Sequence, residues 1–405
     1  MSRVYYREID GRGRGFYALL GLLGALILAG LAAAWTMEHH GHHVTGMSNR
    51  IVWGAPHVFA IFLIVAASGA LNVASIASVF GRAHYQPLAR LSGLLAITLL
   101  AGGLAVLVLD LGRADRLIVA MTRYNFMSIF AWNIFLYTGF FAIVAIYLWL
   151  MFERRMHAYS KPVGLLAFLW RLVLTTGTGS IFGFVAAREA YDSALLAPMF
   201  IILSFSFGLA VFVLVLIAAC RWAARPLGGV MLARLGNLLG VFVASVLYFV
   251  VLYHLTRLYV ARQHDLERFI LLDGGIDTAL FWFGQILIGS LLPLALLFSP
   301  GLSRSRGAVA AAAACVVLGG LAQLYVIIVG GQAYPQLMFP DKEVTSSFFD
   351  GVVAPYTPSL PEVMLGVGGT ALALALTAVA LKLLPFLPQS LADPDLVVGA
   401  DSAAA

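Results

Sequence analysis

The sequence predicts an all-α polytopic membrane protein with about ten transmembrane helices. Of its 405 residues, 61% are hydrophobic and 11% are charged, whereas soluble domains carry about 25% charged residues. Apolar runs of about 20 residues, the length that spans a bilayer as a helix, recur along the whole chain. The alternating hydrophobicity that is typical of a membrane β-barrel is absent. These observations predict helices that cross the bilayer repeatedly.

The predicted helices follow one another through mostly short polar connections. They cover approximately residues 16–35, 51–80, 88–110, 127–152, 162–185, 194–219, 232–261, 278–298, 308–329 and 362–386. The first run is longer than the hydrophobic part of a signal peptide, which is about 7–15 residues, so we predict a retained helix. We therefore predict an integral membrane domain at residues 16–387, with cytoplasmic tails at residues 1–15 and 388–405.

Basic residues predict the orientation of the chain. Fifteen of the 25 lysines and arginines fall on the N-terminal side of the predicted membrane, nine fall on the other side, and Arg171 lies inside a helix. Because basic residues collect in cytoplasmic loops, this excess predicts that both termini are cytoplasmic. The net charge of +6 therefore reflects topology, and we predict no nucleic-acid partner.

Cysteine content and loop length exclude several classes of function. The two cysteines, Cys220 and Cys315, both lie in apolar runs. An iron–sulfur cluster needs about four thiolates, so this chain does not hold one through cysteines alone. A disulfide framework is excluded for the same reason. The sequence contains no phosphate-binding glycine loop and no soluble stretch that is long enough for a nucleotide-binding domain.

Polar residues cluster where the third predicted helix ends and the fourth begins. Asp110 and Arg113 close the third helix. The fourth helix opens with Ser128, Trp132, Asn133 and Tyr137. A charged or amide side chain near hydrocarbon is costly, so it usually faces a protein interior or a cavity and marks a site. We predict that this turn forms the floor of a ligand pocket.

The predicted topology gives the depth of these residues in the membrane. His57 lies about six residues into the second helix, which is roughly 9 Å at 1.5 Å per residue. Asn133 is one to two turns into the fourth helix, and His254 and Arg257 occupy the last turns of the seventh. All of them, with Asp110, fall in one shallow periplasmic layer. The sequence leaves open whether they share one pocket.

A quinone suits an apolar, aromatic pocket with a few fixed polar groups. Its ring would stack on Trp132 or Tyr137, and each oxygen would need a hydrogen-bond donor. Its oxidation or reduction moves two protons, which a carboxylate and an imidazole can relay near neutral pH. The predicted catalytic residues are Asp110, His57 and Asn133. The predicted binding residues are Arg113, Ser128, Trp132, Tyr137, His254 and Arg257.

Each of these residues also has a simpler structural interpretation. Asp110 and Arg113 would form an ion pair that ends the third helix. His57 would bond a backbone carbonyl, and Asn133 and Ser128 would hydrogen-bond across helices, as such side chains commonly do in membranes. The basic pair at the end of the seventh helix would anchor that helix at the interface. These alternatives stay open at this point.

A glycine-containing loop after the first helix carries four histidines, namely His39, His40, His42 and His43. The cluster looks like a metal site, but histidines in such a loop are more often solvated. We predict no metal site in this chain.

Several motifs resemble those of the NrfD/PsrC family of membrane quinone-reactive subunits. WGAPHVF opens the second helix, LDLGRADR closes the third, and NFMSIFAWN leads into the fourth. The ten-helix length, LYHLTRLY, FWFGQ and the late APYTPSLPE are similar to the HybB-like branch of that family. Asp110 and Asn133 stand where some relatives have a histidine and an aspartate.

The resemblance implies a fold and a set of partners. It implies two four-helix bundles plus peripheral helices, with no haem or iron–sulfur cluster in this chain. It implies electron exchange between the quinone or menaquinone pool and a periplasmic ferredoxin-like iron–sulfur subunit, beside other membrane and cytochrome subunits. The setting would be the bacterial cytoplasmic (inner) membrane and dissimilatory sulfur metabolism. In related subunits the quinone site lies near the periplasmic end of the first bundle.

The loop at residues 330–361 is the predicted docking surface for the iron–sulfur partner. Aromatic residues are enriched in interface cores. The loop contains Tyr334, Phe339, Phe348, Phe349 and Tyr356.

Two other functions compete with quinone chemistry. A haem-b cytochrome needs two facing histidines, and only His57 and His254 lie in predicted helices. An ion-translocating module would need a route of acids across the membrane. The candidate acids all lie near one face, namely Asp110, Glu189, Asp192 and Glu267.

Overall fold

A computed structural model describes residues 4–301, 305–335 and 351–393, except for the side chains of Arg154 and His157. Within these residues, ten helices are long and apolar enough to cross a membrane. In chain order, α1 to α10 are Arg14–His40, Ala55–Ser78, Ala83–Leu109, Ile129–Phe152, Ser160–Gly183, Leu196–Trp222, Gly229–Tyr259, Ile276–Phe298, Arg306–Ala333 and Leu360–Leu383. The predicted all-α polytopic class is confirmed.

The two ends of the membrane domain meet at one face. Strand β1, Tyr6–Arg7, pairs in antiparallel register with strand β2, Leu387–Pro388. Nothing in the helical pattern of the sequence indicated this strand pairing. The pairing fixes parts of both predicted tails against the helices. We call this face, where α1 begins, the inner face. The opposite face, where α1 ends and α2 begins, is the outer face, and its periplasmic location stays a prediction.

The ten helices form two bundles and one peripheral pair. Helices α2, α3, α4 and α5 pack around one another, and α6, α7, α8 and α9 form a second group of four. Helix α1 packs against α10, which in turn packs on α2 and α3. This is the arrangement of two four-helix bundles plus peripheral helices that the motifs implied.

Helices α2 and α6 hold the two bundles together at a glycine contact. A Cβ atom on Gly69 would collide with the carbonyl of Ser204, and one on Gly208 would collide with the backbone at Gly69 and Ala70. Small residues let membrane helices approach backbone to backbone, where packing rather than the hydrophobic effect stabilises the contact. The α2–α6 contact fixes the first bundle relative to the second.

Two helices of the second bundle contain widened turns. In α8 the stretch Leu280–Leu291 is π-helical, and in α9 the stretch Val326–Gly330 is also π-helical. Such turns often occur at functional sites. They accompany two buried polar side chains, Gln285 within the first stretch and Asp277 beside Gly330.

Candidate functional site

Three segments bring one carboxylate between two imidazoles at the outer face. Asp110 ends α3, and its side chain is 1% exposed. Its Oδ2 atom lies 2.9 Å from Nδ1 of His57 in α2. Nε2 of His42, just beyond α1, lies 3.2 Å from the backbone carbonyl oxygen of Asp110 and 3.9 Å from Oδ1. This His57–Asp110–His42 group is the first charged cluster of the structure.

The start of α2 is held by residues that are remote in sequence. The backbone N–H of Ala55 donates to the hydroxyl of Tyr356 at 2.6 Å, and that hydroxyl donates to Glu362 at 2.7 Å. The side chain of Gln332 accepts from the N–H of Trp53 and donates to its carbonyl. Because these bonds fix the first turn of α2, they position His57, which lies in that turn.

Asp110 and His42 shift each other's pKa. Burial disfavours the charged form of Asp110, but the contacts with His42 and His57 outweigh burial and lower the pKa of this carboxyl. The interaction with Asp110 raises the pKa of His42, and burial opposes it only in part. A lowered pKa of the acid and a raised pKa of the histidine both mean that the contact favours the charged form of each partner.

The carboxylate of this cluster has free hydrogen-bonding capacity. Among the described residues, neither oxygen of Asp110 nor Nδ1 of His57 makes a hydrogen bond with good geometry, although the two residues are in ion-pair contact. Buried polar atoms usually have hydrogen-bond partners, so unbonded ones call for a ligand or a water. The side chain of His57 remains 21% exposed, which leaves an approach to the cluster.

Aromatic rings line that approach. The ring of Trp53 lies 6.2 Å from the His57 ring, 5.9 Å from Phe130 and 5.7 Å from Phe182, measured between centroids. Phe130 is 46% exposed, so the wall reaches the surface of the first bundle. Trp53 was absent from the predicted site, although it opens the same motif that contains His57.

Asn133 and Tyr137 belong to a separate hydrogen-bonded group. Nδ2 of Asn133 donates to the carbonyls of Ile129 and Gly177, at 2.9 and 3.1 Å. The hydroxyl of Thr178 lies 3.5 Å from the Asn133 side-chain oxygen and 3.4 Å from the Tyr137 hydroxyl. These contacts join α4 to α5, which is the interhelical role that the sequence left open. The structure does not bring Asn133 into contact with Asp110.

Of three other predicted binding residues, Arg113 and Trp132 are exposed and Ser128 is half-buried. Arg113 pairs with Asp115, Nε to Oδ1 at 3.0 Å, and both are exposed. The alternative interpretation of Asp110 and Arg113 as an ion pair is therefore wrong. Between Asp110 and Arg113 the chain turns at Gly112, whose φ of +65° favours glycine. Trp132 is exposed, and its Nε1 donates to a carbonyl of the preceding loop. Ser128 precedes α4 without capping it through its hydroxyl.

His254 and Arg257 surround a second buried carboxylate. Nδ1 of His254 lies 2.6 Å from Oε2 of Glu267, and a guanidinium nitrogen of Arg257 lies 3.6 Å from Oε1. The Glu267 side chain is 0% exposed. Arg257 also donates to the carbonyl of Ala190 and lies 4.1 Å above the Tyr253 ring. This Glu267–His254–Arg257 group is the second charged cluster.

The space beside the second cluster is small. Its cavity of about 20 Å³ is lined by His254, Arg257, Gln285 and Gln323, among others. That volume holds about one water and is too small for a quinone ring. The sequence left open whether His254 and Arg257 share a pocket with Asp110. The structure places them beside a separate small cavity, and their role in binding stays a prediction.

The connection between α5 and α6 lies between the two clusters. The Tyr191 ring is 6.1 Å from Trp53, beside the first cluster. The neighbouring Ala190 carbonyl accepts from the Tyr253 hydroxyl at 3.1 Å and from Arg257, beside the second cluster. One segment at the outer face, Ala190 and Tyr191, thus contacts residues beside both charged clusters.

Comparison with known proteins gives the family. A family model described as polysulphide reductase, NrfD, matches residues 43–336. The chain belongs to the NrfD family. The family predicted from the motifs is confirmed. The matched span contains His57, Asp110, His254 and Glu267, so both charged clusters lie almost entirely within it.

Three relatives resemble this NrfD-family chain over nearly its whole length. It is 28% identical to the Hdr-like menaquinol oxidoreductase integral membrane subunit of Archaeoglobus fulgidus, over 95% of this chain and 97% of that protein. It is 27% identical to a putative dimethyl sulfoxide reductase membrane subunit of Halobacterium salinarum, over 96% and 94%. It is 22% identical to a selenate reductase subunit of Mesobacillus selenatarsenatis, over 90% and 93%.

The two histidines that the haem alternative invokes have separate partners in this NrfD-family chain. His57 contacts Asp110, and His254 contacts Glu267. Of the loop histidines, His39 stacks on Trp35 while His42 turns towards Asp110. Across the described part of the chain, no group of three potential metal ligands converges.

The predicted docking loop is described only at its ends. Tyr334 packs 5.7 Å from Phe269, and the Tyr356 hydroxyl binds Ala55 and Glu362, so both aromatics are directed into the protein. Phe339, Phe348 and Phe349 lie outside the described residues.

Proposed function

We propose that this chain is the quinone-reactive membrane subunit of a multisubunit redox complex. The observation that carries the proposal is the buried Asp110 carboxylate, 2.9 Å from His57 and with unbonded oxygens beside an aromatic wall. A quinol offers hydroxyl donors to such a carboxylate and a flat ring to Trp53. One relative is named a menaquinol oxidoreductase membrane subunit, so menaquinol is the substrate that we favour.

In the proposed reaction, a quinol is oxidised to a quinone and releases two electrons and two protons. The electrons pass to a redox subunit docked at the outer face. Asp110 and His57 accept the protons one at a time, because a carboxylate and an imidazole can act as general bases near neutral pH. His42, whose side chain is 34% exposed, passes each proton on to the outer face. Asn133 and Tyr137 act by holding α4 against α5.

The partner in this proposal is a periplasmic ferredoxin-like iron–sulfur subunit that docks on residues 330–361, together with other membrane and cytochrome subunits. The chain itself would carry no haem or cluster. We place it in the bacterial cytoplasmic membrane and in the HybB-like branch. Its motifs resemble those of DsrP of the DsrMKJOP complex, which would make the pathway one of dissimilatory sulfur metabolism.

A fluorescence-quench titration with a fluorescent quinone analogue tests the proposal. The purified chain should bind the analogue saturably and stoichiometrically. His57→Ala should weaken binding about tenfold or more, because the quinone analogue loses its hydrogen bond to the His57–Asp110 pair. His39→Ala removes an exposed histidine of the same face and should leave binding unchanged. Equal binding by the two variants would contradict the site, and a folded chain without saturable binding would contradict the function.

His42 should set the pH range of quinol oxidation. Contact with His42 lowers the pKa of Asp110, so the carboxylate stays available as a base until the pH falls through that lowered value. His42→Gln removes a group that lowers this pKa and should move the acid limb of the pH–rate profile to higher pH. Rates measured with the assembled complex from about pH 3 to 8, a range that includes the ordinary aspartate pKa of about 3.9, would show this shift. An acid limb that stays in place would rule out the coupling.

A further inference from the structure

A basic cavity opens at the inner face, on the opposite side of the membrane from both charged clusters. It measures about 810 Å³ and lies between the N-terminal segment, the end of α6 and the end of α10. Four cations line it against two carboxylates, which leaves an excess of positive charge. These residues are Arg7, Arg12, Arg225 and Lys382, with Glu8 and Asp10.

Arg225 builds the wall of this cavity. Its guanidinium donates to the carbonyls of Arg7 at 3.0 Å, Glu8 at 2.7 Å and Leu387 at 2.8 Å. These bonds fold the N-terminal segment back over the helix ends, beside the β1–β2 pair. Since Arg225 is already bonded to carbonyls, its role is to position the wall of the cavity. The other cations, Arg7, Arg12 and Lys382, are the ones that can bind a ligand.

Lys382 and Arg12 supply charge that the protein itself neutralises weakly. Nζ of Lys382 lies 3.3 Å from the Tyr17 hydroxyl and about 5 Å from the Tyr17 and Phe16 ring centroids. Among the described residues it has no carboxylate partner within ion-pair distance. Arg12 contacts Asp10 only at 3.9 Å, with both side chains more than 85% exposed, and such a surface pair is worth little.

An apolar groove continues from this cavity along the membrane helices. Ile9 and Trp222 line both spaces. The groove measures about 190 Å³ and runs between α1, α6 and α10. Except for Thr377, its walls are apolar side chains such as Leu19, Leu23 and Val215. A polar, basic cavity and an apolar groove are therefore adjacent at the inner ends of the membrane helices, the arrangement that a lipid headgroup and its chain require.

We propose that this space is a binding site for one anionic phospholipid. Lys382, Arg12 and Arg7 would bind the headgroup phosphate, and an acyl chain would lie in the groove against Leu19 and Val215. Basic sites between helix ends are suited to anionic headgroups. The groove selects a lipid over free phosphate, because only an amphipathic ligand fills both spaces. The bound lipid would join the peripheral α1–α10 pair to α6 of the second bundle.

Native mass spectrometry of the delipidated full chain tests this site. Phosphatidylglycerol and phosphatidylcholine of equal chain length would be added separately. We expect one phosphatidylglycerol to stay bound at collision energies that remove phosphatidylcholine. Lys382→Met, which keeps the apolar stem, should lower the preference for phosphatidylglycerol about fivefold, since each cation near an anionic headgroup contributes on the order of 1 kcal/mol.

Two further variants make the test decisive. Arg12→Gln changes a side chain that is 86% exposed, so it leaves the fold intact and should also reduce the preference. Arg155→Gln removes an exposed cation from the inner-face loop after α4 and should have no effect. Equal retention of the two lipids by the unmodified chain, or unchanged preference in both Lys382→Met and Arg12→Gln, would overturn the proposal.

Discussion

Asp110→Asn should lower quinol oxidation by the assembled complex about a hundredfold or more, the lower end of the contribution of a positioned general base. The Asp110 carboxylate is buried, with Oδ2 2.9 Å from His57 Nδ1. An asparagine occupies the same volume but does not accept a proton at neutral pH. The measurement is the steady-state oxidation of a short-chain quinol with an artificial electron acceptor, in membranes that contain matched amounts of the complex.

Asp115→Asn is the matched control for this experiment. Asp115 lies five residues further along the same loop, is exposed and pairs with Arg113. Because it contacts neither histidine of the first charged cluster, its replacement should leave the rate unchanged. The same quench titration on Asp110→Asn separates weaker binding from slower proton transfer. Unchanged turnover in Asp110→Asn would remove this residue from the proposed mechanism.

Glu267→Ala should destabilise the protein by about 3–5 kcal/mol, the cost of breaking a buried charge pair by removing one partner. Glu267 is fully buried between His254 at 2.6 Å and Arg257 at 3.6 Å. Its removal leaves the permanently charged Arg257 buried without a counter-charge. The shift in the midpoint of thermal or denaturant unfolding, followed in detergent for both proteins, gives the effect.

Asp273→Ala gives the comparison within the same segment. Asp273 pairs with Arg268 at 2.6 Å, but both side chains are more than half exposed. Exposed ion pairs contribute about 0–1 kcal/mol, so this variant should unfold close to the unmodified protein. If Glu267→Ala unfolded at the same midpoint as Asp273→Ala, the prediction would be wrong. Water would then enter the second charged cluster and solvate Arg257.

Hydropathy alone was sufficient to predict the ten-helix class. In a bilayer each backbone polar group must be bonded within the protein, so a long apolar run without the alternating pattern of a barrel strand forms a helix. The motifs around His57 and Asp110 were also sufficient to indicate the family. Both signals are local in the sequence, which is why they do not depend on how the helices pack.

Side-chain partners were decided by the tertiary structure. The turn at Gly112 directs Arg113 towards Asp115. His42, just beyond the end of α1, contacts Asp110 instead of Arg113. The sequence analysis assigned His42 to a solvated loop. The sequence does show that this loop follows a helix that ends on the same face as Asp110, but it does not show that the loop reaches the end of α3.

Two other charged residues, Arg171 and Glu267, show the same difference between what the sequence predicts and what the packing decides. The sequence by itself determined that Arg171 lies within a membrane helix and that Glu267 lies just outside one. Only the packing of the bundles decided that Arg171 bonds Asn72 at 2.7 Å and that Glu267 is enclosed by His254 and Arg257. Hydrophobicity fixes which segments enter the bilayer, whereas the rotation of each helix and the path of each loop, which set the polar partners, follow from contacts between segments far apart in the chain.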